Sequence, residues 1–85
     1  MTQKFEYTFD NSIKYRDIGF AVSYYRKLRK MTQADLAKAV GISRQYMGAV
    51  EAPNMNRAVS LELLLNIATV LEIEPYVLLK FNPEK

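Results

Sequence analysis

The side chains with the most definite chemistry are Arg44 and Gln45, two neighbouring fork-shaped hydrogen-bonding groups at the start of an amphipathic segment, residues 44–52. A guanidinium donates two parallel hydrogen bonds to O6 and N7 of guanine, and a carboxamide pairs in the same bidentate way with N6 and N7 of adenine. That is recognition chemistry rather than bond-breaking chemistry. The chain has no His and no Cys, so the commonest acid–base and metal-ligating side chains are missing, and with them any thiolate site or disulfide frame. Asp and Glu are scattered and no glycine-rich phosphate loop occurs. A chain of 85 residues also leaves little room for a substrate pocket. No enzyme, metal site or cofactor is expected.

Arg44 and Gln45 need a rigid support, and residues 33–52 (QADLAKAVGISRQYMGAVEA) supply one. Projected at about 100° per residue, Met47 and Val50 fall on one side of the helix from Arg44 to Ala52. Arg44, Gln45, Gly48 and Ala49 fall on the other. Gly48 and Ala49 are short, so the helix can sit deep in a major groove, with Ala49 placed to touch a thymine methyl. Ser43 is an N-cap candidate for this helix. The helix before it starts at Thr32, which forms a capping-box pattern with Asp35. Its inward face is Leu36, Ala37 and Val40, and Gly41 allows the left-handed turn that ends it. Ala37 is small where the two helices approach, and Ile42 plugs the space between them. Two short helices joined by a tight Gly turn have helix-turn-helix geometry.

The flanking segments complete an all-α domain over residues 13–81. Ile18, Val22 and Tyr25 recur at spacings of four and three in a first helix that ends near Lys30. Tyr25 is expected to be buried and Tyr24 to lie at the solvent edge. Pro53 stops the third helix. Ser60 caps a fourth whose apolar face reads Leu61, Leu64, Leu65, Ala68 and Leu71, and Pro75 opens a short fifth. Residues 82–85 form a tail. Residues 1–12 form an N-terminal arm, extended or strand-like, in which Phe5, Tyr7 and Phe9 alternate with Lys4, Glu6, Thr8 and Asp10. Its near-neutral charge suits packing on the body or dimerisation better than a minor-groove arm, which would be rich in Arg or Lys.

The formal net charge is +3, and its distribution is uneven. Residues 16–30 carry Arg16, Arg26, Lys27, Arg29 and Lys30 against Asp17 alone, while four of the six charges in residues 60–85 are acidic. A basic end suits an anionic partner; a solvated helix face gives the same pattern. No apolar run approaches the roughly 20 residues of a membrane span. Residues 1–10 have no apolar core of a leader peptide. A soluble cytoplasmic protein is expected.

These features together resemble the phage-repressor and Cro-type helix-turn-helix proteins, the XRE family. The resemblance covers about residues 18–79. It rests on Ile18-Gly19, Val22 and Arg26, on Thr32-Gln33, Leu36-Ala37, Gly41-Ile42-Ser43, Met47 and Val50-Glu51, and on Ser60-Leu61, Leu64, Ile67-Ala68 and Leu71. It implies a compact five-helix bundle that binds double-stranded DNA, often as a homodimer on a palindromic operator. Residue by residue, it implies that Gln33 contacts phosphate, that Arg44 and Gln45 read bases, and that Ser43 and Tyr46 touch the backbone. Arg26 and Glu51 match a structural salt bridge. Three departures stand out. Lys30 replaces the usual Gly after the first helix, Pro53 replaces a Gly after the third, and the following loop is about two residues longer. That loop carries Asn56 and Arg57, which are phosphate candidates, although Arg57 is equally readable as a free surface side chain. Tyr46 is equally readable as a phosphate contact or a partly buried flank. The function expected is sequence-specific DNA binding by a transcriptional repressor. The alternative is an antitoxin-like interaction module that binds DNA only with a protein partner, through the aromatic arm and the apolar run 76–79.

Overall fold

A computed structural model describes residues 9–53 and 59–80, and the described residues form five helices. They are α1 (Ser12–Leu28), α2 (Gln33–Val40), α3 (Arg44–Glu51), α4 (Leu61–Leu71) and α5 (Pro75–Leu79). Helix α2 packs on α3 and α4, α1 packs on α3, α4 and α5, and α4 packs on α5. The core is where these stripes meet. Val22, Leu36, Met47, Ile67, Leu71 and Leu78 are its largest fully buried side chains. Every helix from α1 to α5 contributes at least one of them, so no helix buries its apolar face alone.

Three of the helix ends share one device. After α1, α2 and α4 the chain enters the left-handed region at Lys30 (φ 58°), Gly41 (φ 80°) and Glu72 (φ 60°). Each turn carries the paired hydrogen bonds of a Schellman motif. The N–H of Met31 donates to Arg26 O, that of Ile42 to Ala37 O and that of Ile73 to Ala68 O, at 2.9–3.1 Å. The residue after each left-handed position is apolar and packs against the core: Met31, Ile42 and Ile73. Only Gly41 takes this conformation without a steric cost. Lys30 therefore fills the role of the glycine it replaces.

Two expectations are corrected. On α4 the buried face is Leu63, Leu64, Ile67, Ala68 and Leu71, while Leu61 and Leu65 are exposed at 66% and 40%. Apolar residues run almost all round this helix, so periodicity alone does not choose a side. On α1, Tyr25 is half-buried and set edge-on to Tyr24 at 4.9 Å between ring centroids. Arg26, the next residue, is the buried one. Phe5, Tyr7 and the rest of residues 1–8 lie outside the described residues, while Phe9 is exposed.

Candidate nucleic-acid interface

The α2–α3 hairpin is fixed at each of its joints. Thr32 caps α2 reciprocally: its Oγ1 accepts from the Asp35 N–H at 3.0 Å, and Asp35 Oδ2 accepts from the Thr32 N–H at 2.9 Å. The Thr32 backbone N–H bonded to it, and after that the neighbouring Thr32 hydroxyl, hold the Asp35 carboxyl below its ordinary pKa. The Schellman turn at Gly41 reverses the chain. Ser43 then caps α3, its Oγ accepting from the Tyr46 N–H at 3.0 Å. Satisfying these terminal N–H groups holds both short helices in place, since helices of eight residues are marginal alone.

A buried ion pair ties this hairpin to α1. Arg26 Nε donates to Glu51 Oε2 at 2.7 Å and Nη2 donates to Glu51 Oε1 at 3.0 Å, a bidentate contact with both residues 8% exposed. Arg26 Nη1 also donates to the Met31 carbonyl at 2.7 Å, so one guanidinium joins the end of α1, the start of the next segment and the end of α3. The pair that the family resemblance implies is therefore present and buried. Beside it, Gly19 lets α1 and α3 touch. A Cβ there would lie 2.5 Å from the Val50 carbonyl oxygen.

Gln33 is placed where the sequence puts it, at the start of α2, with a partner the sequence does not indicate. Its Nε2 donates to Glu51 Oε1 at 3.0 Å. That oxygen thus accepts from both Arg26 and Gln33. Gln33 Oε1 lies 3.5 Å from the position of a Cβ built on Gly48, so the carboxamide lies beside α3.

Arg44 and Gln45 are both exposed at the first turn of α3, with Gly48 and Ala49 half-buried further along the helix and Met47 and Val50 turned into the core. Ser43 is exposed at the cap, and Tyr46 is half-buried against the core. Asn56 and Arg57 lie outside the described residues. The basic run over residues 26–30 divides. Arg26 is neutralised inside the protein. Arg29 Nε donates to the Leu71 carbonyl at 2.7 Å and Nη2 to the Glu72 carbonyl at 3.2 Å, closing the C-terminus of α4. Lys27 and Lys30 are exposed. A cavity of about 230 Å³ lies elsewhere, lined by Asn11, Lys14, Tyr15, Asp17, Ile18 and Leu79. Among the described residues no group of three or more Asp or Glu is placed to hold a metal ion, and no helix is long and apolar enough to cross a membrane.

A capped helical hairpin presenting Arg and Gln from the first turn of its second helix, braced by a buried Arg–Glu pair, defines a helix-turn-helix DNA-binding domain. Residues 22–78 match the helix-turn-helix family model, and the chain belongs to that family in its XRE form. The protein is thus a DNA-binding transcriptional regulator by family. It is similar to an uncharacterized HTH-type transcriptional regulator, MJ0272, of Methanocaldococcus jannaschii, with 45% identity over 47 residues, 55% of this chain and 68% of that one. Among solved structures it is similar to the restriction-modification controller protein C.AhdI from Aeromonas hydrophila, with a TM-score of 0.68 and 36% identity over 75% of this chain and 94% of that one. It is also similar to the biofilm master regulator SinR in complex with DNA, with a TM-score of 0.68 and 27% identity over 74% of this chain and 98% of that one. SinR comes from Bacillus subtilis.

Proposed function

We propose that this regulator binds duplex DNA sequence-specifically by laying α3 in the major groove, and that it represses transcription as a homodimer. Arg44 and Gln45 read base edges and Ala49 meets a thymine methyl, while Gln33, Ser43 and Tyr46 hold phosphates. Asn56 and Arg57 join the phosphate set on sequence grounds. The observation that carries this reading is the exposed Arg44–Gln45 pair on the first turn of a helix whose opposite face, Met47 and Val50, is buried. Long side chains at that turn reach furthest into a groove, and the short Gly48 and Ala49 behind them keep the helix close to the base edges. Exposed Tyr76 and Leu79 on α5 supply apolar area for a second subunit. A protein of this kind acts in the cytoplasm.

Selection of bound duplexes from a random DNA pool at near-physiological salt tests the proposal. An enriched palindrome supports specific binding by a two-fold dimer and reports the half-site spacing. A pool that stays random overturns it.

A further inference from the structure

We infer that Glu51 is a positioning residue for DNA binding: through the oxygen it shares with Arg26, it holds the Gln33 carboxamide in one orientation beside α3. The inference rests on the reading of Gln33 as a phosphate contact and adds what fixes that contact. Glu51 Oε1 accepts from Arg26 Nη2 and from Gln33 Nε2, each at 3.0 Å. A carboxylate only accepts, so the NH2 end of Gln33 must face it and the carbonyl end must face away. The carbonyl end lies on the Gly48 side of α3, 3.5 Å from where a Cβ on that glycine would stand. The carboxamide is therefore held through its NH2 end, with its second N–H left to donate to a phosphate oxygen.

Charge makes this arrangement compatible with DNA. A bare carboxylate beside Gln33 would repel the phosphates that Gln33 is to meet. Glu51 is 8% exposed and is matched by a bidentate guanidinium, so the pair is close to neutral from outside. The buried ion pair thus acts on the DNA-facing surface without touching DNA. A long flexible side chain that is already ordered loses less entropy on binding, which favours the complex.

Replacing the ion pair by apolar groups separates positioning from stability. Apolar replacement of a buried pair is often neutral or stabilising, whereas removal of one partner is not. The test uses the duplex recovered from the random pool and compares wild type, Gln33→Ala, the double variant Arg26→Met/Glu51→Met, and the triple variant. Gln33→Ala is expected to weaken binding about tenfold, the value of one hydrogen bond to a charged group. The double variant is expected to melt near wild type yet bind about tenfold more weakly, with less than a twofold further loss in the triple variant. The inference is overturned if the double variant binds like wild type, or if Gln33→Ala costs the same tenfold in its background.

A second measurement covers a double variant that does not fold. In the NMR spectrum of the unmodified protein, the Gln33 side-chain NH2 pair is assigned by its loss in Gln33→Ala. One proton shifted well downfield, with slowed solvent exchange, supports the contact with Glu51. A pair at the position of free glutamine overturns it. This reading needs no DNA, so a pool that yields no duplex would defeat the functional proposal and still leave the contact decided.

Discussion

Glu51→Ala removes an acceptor on which three donors converge. Arg26 Nε and Nη2 would remain inside the protein, on a residue 8% exposed, with their acceptor gone, and Gln33 Nε2 would lose its partner as well. Arg26 Nη1 would keep the Met31 carbonyl, so the guanidinium cannot simply swing out to water without breaking a further bond. Stranding one member of a buried pair costs about 3–5 kcal/mol. A domain of this length has a total stability of roughly 4–13 kcal/mol. The substitution should therefore remove a large share of it. At about 4–8 °C per kcal/mol for small domains, the melting temperature should fall by more than about 10 °C. Circular dichroism during heating and urea titration would measure the change. The magnitude depends on the guanidinium being trapped. A variant that melts within about 2 °C of wild type would mean that Arg26 finds water or another acceptor, and the structural reading of the pair would be wrong.

Other substitutions address the neighbouring features. Arg44→Ala should weaken specific binding by about 1–3 kcal/mol and relax preference at one base pair, seen as a flattened column in the selected-sequence profile. Gly19→Ala should destabilise by about 1–3 kcal/mol, because its methyl would meet the Val50 carbonyl at 2.5 Å and the backbones of α1 and α3 would have to part; urea titration measures it. Glu72→Gly should raise stability by about 0.5–1 kcal/mol, since φ there is 60° and the side chain is exposed; an unchanged urea midpoint would count against strain at this turn. The capping box gives a pH dependence. Asp35 has a folded pKa below its unfolded value, so its contribution is fully present above the unfolded carboxylate pKa and is lost as pH falls through the lower folded one. Asp35→Asn should remove that part of the acid limb of stability against pH.

Much of the hairpin was legible because its signals are local. Thr32 with Asp35, Gly41 and Ser43 each act within three or four residues along the chain, and each performs the expected capping or turning role. The Arg26–Glu51 pair spans 25 residues and was reached through the family resemblance, not through spacing. Long-range partners without such a guide were not legible. Nothing near Arg29 in sequence points to the carbonyls of Leu71 and Glu72, and nothing near Gln33 points to Glu51. Apolarity alone does not choose the face of α4, because Leu61 and Leu65 are as apolar as Leu63 and Ile67; only the packing of α1, α2 and α5 against it separates them. The left-handed position of Glu72 was hidden for a related reason. A non-glycine residue is held there by the packing of Ile73, a tertiary cause.

The commitments of Arg26 and Arg29 bear on the ion atmosphere of any nucleic acid this protein meets. Each cationic side chain that settles against a phosphate displaces about 0.9 of a condensed counterion from B-form DNA, and the number displaced sets how steeply affinity falls with added salt. A count over residues 16–30 would include five such side chains. Two of them, buried Arg26 and exposed Arg29, are engaged by a carboxylate or by the carbonyls at the end of α4 before DNA arrives. Their positive charge builds the fold and displaces no ions. The sensitivity of binding to ionic strength should accordingly be milder than the basic run of the sequence implies.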